Sequence, residues 1–395
     1  MRQREQEEER EARAGVQRRL VWRARTALVG LLVSMVVLGG VVAYGLMTGF
    51  GSPSQTVALY WWGGDLMWDQ LEAGFDRGVT EFGFTAKKVE LVELGDLDAI
   101  WEEELRRLSD DGMAVIFVFD GLAEDLDRVA ADYPNVRYVL LDQVGSAPNV
   151  AYLPFADAEG AFMAGAAAAL TTRTGTVGFV GGTEWDVIWR LQAGYEAGVR
   201  AVDPQVRVLT EYLTRGFDFQ GFQDASGAEE AARRMYAEGA DVILHAAGSA
   251  GLGVFEAAYS MSRSTGHHLW AIGVDSDQHE TVLRLPGVMR AERWQPHILT
   301  SVEKRMDTAV YDVLRDLANG SFSPGRHQLD LASGHLGLSY SGGYLDELRV
   351  DLEALEGAVV RGEIQVPCLP DGMPATALTQ PFPAYCPESN GIEGS

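Results

Sequence analysis

Positive charge, and lysine in particular, is scarce in this sequence. Lysine stands only at Lys87, Lys88 and Lys304, and the formal net charge is −25 at pH 7. A surface of that charge repels the phosphates of nucleic acid, so no nucleic-acid partner is expected. Because lysine is so rare, Lys304 also becomes a candidate for a specific role.

Sequence signatures of catalysis and metal binding are missing as well. There is no Ser-His-Asp arrangement, no Walker motif and no His/Cys cluster with metal-ligand spacing, and the 7 histidines are scattered. Carboxylates are plentiful, but no motif pairs a base with a nucleophile. We therefore predict a protein that is not an enzyme and that has no cofactor and no metal.

Cysteine is almost absent. The 2 cysteines, Cys368 and Cys386, lie among prolines and glycines in a C-terminal tail, residues 368–395. In an oxidising, exported compartment such a pair predicts a disulfide. No cysteine stands at the end of the apolar N-terminal segment, so a lipid attachment point is not expected there.

The N-terminal residues show the pattern of a membrane anchor. Residues 1–25 carry mixed charges and end in several arginines, whereas residues 26–50 contain no charged side chain. About 20 apolar residues span a bilayer, and the apolar part of a signal peptide is shorter. We expect a single-pass transmembrane helix at 26–50 in the cell membrane. The preceding arginines predict a cytoplasmic N-terminus and an extracytoplasmic body at 56–395, joined by a tether at 51–55.

Within the body, short apolar runs alternate with amphipathic segments, as in parallel α/β sheets. The first series predicts strands at Thr56–Trp62, Lys88–Val92, Met113–Phe119 and Arg137–Leu141. A second series predicts strands at 175–182, 206–212, 241–245 and 268–274. Two successive units indicate an α/β protein with two lobes and a ligand cleft between them. We assign lobe 1 to about 56–155 plus 276–325, and lobe 2 to about 156–275 plus 326–367.

Aspartates follow two of the predicted strands. Asp142 comes after the strand at 137–141, and Asp275 ends the strand in the segment Gly273-Val-Asp-Ser-Asp-Gln278. Ligands of open α/β sheets bind beyond the carboxyl ends of the strands, and an ionised carboxylate accepts hydrogen bonds from sugar hydroxyls. The alternative for each residue alone is a helix cap or a turn.

Other candidates for ligand binding lie on loops near strand ends. Trp68 and Asp69 follow the first strand, where a tryptophan beside a carboxylate could stack on a flat ring and bind its edge. Phe222 could supply a second aromatic side chain, with Phe217 as a competing candidate. Gly248 opens a glycine-rich turn that could offer backbone amides. Lys304, which we place on a helix, could point its ammonium group into the cleft.

Taken in order, these segments resemble the basic membrane protein family, the purine-nucleoside receptor type of ABC-transporter substrate-binding proteins. The resemblance spans about residues 56–367 and includes Asp65–Gln70, Gly178–Gly182, Gly273–Gln278 and Thr300–Arg305. It implies a type I periplasmic-binding-protein fold with two Rossmann-like lobes, a purine nucleoside as ligand and a permease as partner.

The resemblance also implies roles for individual residues. Trp68 and Phe222 would sandwich the base, and Asp69 and Asp142 would bind its edge. The ribose would be held by Asp275, Lys304 and the backbone at Gly248. A non-transport sensor or regulatory membrane protein with the same pocket is the alternative function.

One departure from the family pattern bears on the ligand. Trp68-Asp69 stands where the family has Phe-Asn, so an amide that can donate and accept is replaced by an acceptor. Two acceptor carboxylates, Asp69 and Asp142, would then meet the base. We hypothesise that this favours guanine, whose edge is rich in donors.

Overall fold

The computed structural model describes residues 55–62, 68–91, 97–119, 123–216, 218–285 and 291–374. The predicted transmembrane segment 26–50, most of the tether, Phe217 and Cys386 lie outside these residues. Within the described ranges, no helix combines the length and the apolar character needed to cross a bilayer. The same ranges contain no free cysteine, and Cys368 is buried; its pairing with Cys386 stays a prediction.

The first lobe is built on a parallel six-stranded sheet. Its strands are β1 (Thr56–Trp62), β2 (Thr85–Leu91), β3 (Val115–Val118), β4 (Tyr138–Leu141), β5 (Val150–Leu153) and β11 (Gly325–Arg326). They are ordered β11-β5-β4-β3-β1-β2. Helices α1 (Trp68–Phe82), α2 (Leu97–Asp110) and α3 (Ala123–Asp132) connect the first four strands. Because β3 and β4 are buried on both faces, they are apolar throughout, as expected for central parallel strands.

The second lobe repeats this plan. Its strands are β6 (Thr176–Thr183), β7 (Arg207–Thr214), β8 (Val242–Ala246), β9 (Trp270–Asp275), β10 (Ile298–Lys304) and β12 (Leu336–Leu338), in the order β12-β10-β9-β8-β6-β7. Only β12 is antiparallel to its neighbour among these described strands. The remaining helices are α4 (Asp157–Thr171), α5 (Asp186–Val202), α6 (Ala225–Ala237), α7 (Leu252–Thr265), α8 (Gln278–Thr281), α9 (Met306–Asn319) and α10 (Arg349–Val360). Two lobes with parallel sheets confirm the predicted α/β class.

The chain crosses between the lobes at other points than the sequence suggested. Residues 276–304, assigned above to lobe 1, include β10, which pairs with β9 in the second sheet. Helix α9 does belong to lobe 1, because Gly74 of α1 lies against the backbone of Asp307. The lone strand β11, at 325–326, returns to the first sheet beside β5. Local hydrophobic patterns predicted neither β10 nor β11 as a strand, and they do not specify which sheet each one joins.

Helix α4 is the most buried helix of the second lobe. It is apolar on all sides, which is the pattern of a helix enclosed by other elements. Glycines on α5 allow the close packing: a Cβ added to Gly194 or Gly198 would lie 2.0 Å from the carbonyl oxygen of Ala158 or 1.9 Å from that of Phe162. The first residue of this enclosed helix is Asp157, a charged side chain with no solvent exposure.

Candidate functional site

The carboxyl ends of β4 and β9 carry unusual backbone conformations. Asp142 has φ 62° and Asp275 has φ 67°, and no other non-glycine residue in the described ranges has a positive φ. Such conformations cost roughly 1–3 kcal/mol and persist where the surroundings fix them, often at ligand sites. The two predicted strand-end aspartates are therefore distinguished by geometry as well as by sequence.

Lys304 lies between the lobes. Its side chain is nearly fully buried, and Nζ donates a hydrogen bond to Oδ2 of Asp142 at 2.8 Å. Because Lys304 ends β10 of the second sheet and Asp142 follows β4 of the first, the carboxyl edges of the two sheets meet at this contact. Our placement of Lys304 on a helix was wrong: the residue ends a strand paired with β9 and β12.

A second ion pair holds Lys304 from within its own lobe. Oδ1 of Asp157 lies 2.7 Å from Nζ of Lys304. The other oxygen of Asp157 accepts hydrogen bonds from Arg190 Nε at 3.1 Å and from Nη2 at 3.0 Å. Asp157 is fully buried and the Arg190 side chain is 10% exposed. Sequence reasoning missed both residues, although a carboxylate entering an apolar helix was a usable signal.

The electrostatics distinguish the two carboxylates. Burial raises the pKa of Asp157, but Lys304 and Arg190 outweigh that effect and hold the pKa below its usual value. For Asp142 burial prevails over the attraction of Lys304, so the pKa is raised. Burial alone would lower the pKa of Lys304, whereas the surrounding carboxylates, including Asp275, raise it. Lys304 is therefore protonated, and Asp157 holds its negative charge to lower pH than Asp142 does.

Trp68 and Asp69 begin helix α1 beyond the end of β1. The Trp68 ring is 8% exposed and meets the edge of Phe119, with 4.6 Å between centroids and planes at 83°. Its indole Nε1 is buried and has no hydrogen-bond partner within the described residues. Asp69 is exposed. The structure thus places Trp68 at the carboxyl edge of the first sheet, with one polar atom unsatisfied.

Phe222 and Gly248 lie together at the carboxyl edge of the second sheet. Phe222 ends a short 3-10 helix, Phe219–Phe222, and packs on Gly182 at the end of β6. Gly248 has φ 51° and opens the turn before α7. The next residue, Ser249, donates its hydroxyl to the carbonyl of Phe222 at 2.8 Å. The two predicted residues therefore belong to one connected loop pair.

Two buried polar residues near the end of β9, His245 and Gln278, received no role in the sequence analysis. His245 of β8 is fully buried, and its Nε2 lies 2.8 Å from Oε1 of Gln278. Gln278, the first residue of α8, is 4% exposed. Burial lowers the pKa of His245 to about 4, although the contact with Gln278 acts in the opposite direction. The imidazole is therefore neutral in the folded protein.

The neutral state of His245 predicts a loss of stability in mild acid. Because its folded pKa of about 4 lies below the ordinary 6.5, the unfolded chain binds the extra proton between these values. The contribution is complete above about pH 6.5 and is lost as the pH falls towards 4. At pH 5 the loss relative to pH 7.5 amounts to about 2 kcal/mol. Urea denaturation at pH 7.5 and pH 5 should show a smaller difference for His245→Gln than for the parent, and equal differences would contradict the assignment.

The Asp157 ion pairs generate a second prediction. Asp157→Asn leaves Lys304 and Arg190 with less compensation in a buried position, so the free energy of unfolding should fall by about 3–5 kcal/mol. Asp76→Asn is the matched control, because its pair with Lys88 is exposed and should contribute little. Urea denaturation of both variants at pH 7.5 measures the difference. Similar losses for both would show that burial does not set the strength of the Asp157 pairs.

The described residues contain no group of His, Cys, Asp and Glu side chains that could hold a metal ion. The site instead presents carboxylates, one ammonium group and aromatic rings at two facing sheet edges. Carboxylates accept and ammonium donates, so the arrangement can bind a polar organic molecule with hydroxyl groups.

Comparison with known proteins identifies the family of the chain. The family model "Bmp: ABC transporter substrate-binding protein PnrA-like" matches residues 67–370. The CD4+ T-cell-stimulating antigen of Listeria monocytogenes is 32% identical over 252 residues, which cover 62% of this chain and 68% of that protein. The ABC transporter nucleoside-binding protein BmpA of Lactococcus lactis is 31% identical over 265 residues, covering 65% and 72%.

A solved structure agrees on the fold. The ABC transporter solute-binding protein from Aeropyrum pernix superposes with a TM-score of 0.62 at 24% identity, over 79% of this chain and 93% of that one. The family description is that of an ABC transporter substrate-binding protein, which binds a small molecule for a permease and is not an enzyme. The match over most of the body confirms the resemblance drawn from the sequence: the chain belongs to the Bmp family of PnrA-like ABC transporter substrate-binding proteins.

Proposed function

We propose that this protein is a membrane-anchored receptor that captures purine nucleosides, with a preference for guanosine, for uptake by an ABC permease. The observation that carries the proposal is the contact of Lys304 with Asp142 at the facing sheet edges, 2.8 Å long, with Asp275 at the end of the neighbouring strand β9. A relative of 31% identity is named as a nucleoside-binding protein, which supports the same ligand class.

The ribose would bind at Asp275 and Lys304. Adjacent hydroxyls of a sugar can both donate to one carboxylate, and a lysine ammonium can donate to a hydroxyl oxygen. Asp275 acts electrostatically on Lys304, which is consistent with a shared ligand group between them. The backbone of Gly248, at the same sheet edge as Phe222, would complete this part of the site.

The base would bind between the aromatic side chains. Trp68 lies at the edge of the first sheet and Phe222 at that of the second, so closure of the lobes would bring a flat ring between them. Asp69 and Asp142 would accept from the base edge. Guanine offers a ring N–H and an exocyclic amino group as donors, whereas hypoxanthine lacks the amino group. The order of affinity should therefore be guanosine above inosine and adenosine.

Calorimetric titration of the purified protein with guanosine, inosine and adenosine tests this proposal. Replacing Asp275 by Ala removes charge-assisted hydrogen bonds to the ribose, and affinity should fall roughly a hundredfold. Asp351→Ala, at an exposed carboxylate on α10, is the control and should bind as the parent does. A preference for inosine or adenosine would reject the guanine hypothesis, and unchanged affinity in Asp275→Ala would reject the site.

The membrane anchor has its own test. If residues 26–50 span the bilayer, an alkaline carbonate wash should leave the chain in the membrane pellet and detergent should release it. The double substitution Met35→Arg and Val36→Arg places two charges near the centre of that segment, at a cost of about 2.5–3.5 kcal/mol each. This variant should lose membrane integration, and release of the unaltered chain by carbonate would contradict the proposed anchor.

A further inference from the structure

The backbone around Asp275 forms a tight turn. The N–H of Ser276 donates to the carbonyl oxygen of Val274 at 2.8 Å, and Asp275 between them has φ 67°. A hydrogen bond from residue i+2 to residue i around a positive φ is a γ-turn of the rarer and more strained kind. A conformation of this kind needs support from neighbouring groups.

Gln278 provides such support from three residues further along the chain. Its Oε1 accepts the N–H of Val274 at 3.3 Å. Its own backbone N–H donates to Oγ of Ser301 at 3.1 Å, and its side chain contacts His245. One nearly fully buried residue thus links strands β8, β9 and β10.

The donor and acceptor roles in this group are fixed by chemistry. A backbone N–H can only donate, so the atom of Gln278 that faces Val274 must be the amide oxygen. His245 must then donate from Nε2, which agrees with a neutral ring whose buried Nδ1 has no partner within the described residues. The Gln278 amide oxygen therefore accepts two hydrogen bonds, one from the residue that precedes Asp275.

Two glycines leave the space that this arrangement requires. A Cβ on Gly273 would lie 2.3 Å from Oε1 of Gln278, and one on Gly251 would lie 2.1 Å from Cε1 of His245. Any larger residue at either position would displace the Gln278 or His245 side chain. Packing and hydrogen bonding thus agree on a single position for the Gln278 amide.

From these contacts we propose that Gln278 is a positioning residue for the ligand-binding carboxylate of Asp275. It holds the N–H of Val274 on one side of the γ-turn and anchors the chain after the turn to Ser301. Loss of its amide oxygen would leave two buried donors unsatisfied and allow Asp275 to relax towards an ordinary conformation. The binding consequence rests on the proposed function, whereas the backbone consequence does not.

Two substitutions separate this role from general destabilisation. Gln278→Met keeps the length of the side chain and removes the acceptor, while Gln278→Glu keeps an acceptor oxygen in place. Guanosine affinity should fall about tenfold or more in the Met variant and stay within about threefold of the parent in the Glu variant. Gln295→Met is the matched control, because it removes a hydrogen bond to the carbonyl of His279 in the same short helix. Equal affinity of the Met variant and the parent would overturn the proposal.

A measurement without ligand completes the experiment. Amide hydrogen exchange at Val274 and Ser276 should be faster in Gln278→Met than in the parent, and should be unchanged in Gln278→Glu and Gln295→Met. If the parent binds no nucleoside, the proposed function fails, and the exchange rates alone decide the role of Gln278. Unchanged exchange in the Met variant would overturn that role whatever the ligand.

Discussion

The buried ammonium group of Lys304 is the constraint on which the site depends. Removing an ion from water costs several kcal/mol, so a buried lysine requires counter-ions within direct contact. This protein supplies Asp142 from the first lobe and Asp157 from the second. Arg190 then balances the second carboxylate, so these four groups together carry no net charge. The arrangement holds only if the carboxyl edges of the two sheets meet, which links electrostatics to the relation between the lobes.

The two counter-ions of Lys304 are not equivalent, because they belong to different lobes. Lys304 and Asp157 both belong to the second lobe, since α4 and β10 pack in the same unit, whereas Asp142 belongs to the first. Separation of the lobes would therefore part Lys304 from Asp142 but not from Asp157. The pKa values differ in the same way: that of Asp142, on the first lobe, is raised, and that of Asp157, on the second lobe, is lowered. Lys304 therefore has Asp157 as its partner within its own lobe and Asp142 as its partner on the other lobe.

Much of the fold could be predicted from the sequence because it depends on local patterns. Strand β1 has the predicted bounds, and the alternation of strands and helices gave both lobes. Asp142 and Asp275 could be predicted as candidates because ligands of open α/β sheets bind beyond the carboxyl ends of the parallel strands. The candidate residues also lie in motifs that occur in the same order as those of the family, which indicated their roles.

What could not be predicted depends on long-range pairing. The segment Ile298–Lys304 is short and mixed in polarity, so its period does not distinguish helix from strand; pairing with β9 decides it. Strand β5 is apolar but has only four residues, too few to establish a period, and it was not predicted. Asp157 and Arg190 are 33 residues apart, and only the packing of α4 against α5 brings them into contact. Local sequence carries no information about such a contact.

The strained aspartates of the two lobes occupy equivalent positions but are supported in different ways. The N–H of Asp142 donates to the carbonyl of Leu153 at 2.9 Å, so its conformation is fixed by the ladder between β4 and β5. At Asp275 the support comes from the Gln278 side chain. A backbone ladder tolerates most substitutions, because every residue except proline has the N–H group it requires. A side-chain support depends on one amide and on the glycine beside it. The second lobe should therefore tolerate less variation around Asp275 than the first lobe does around Asp142, although φ is similar at the two residues.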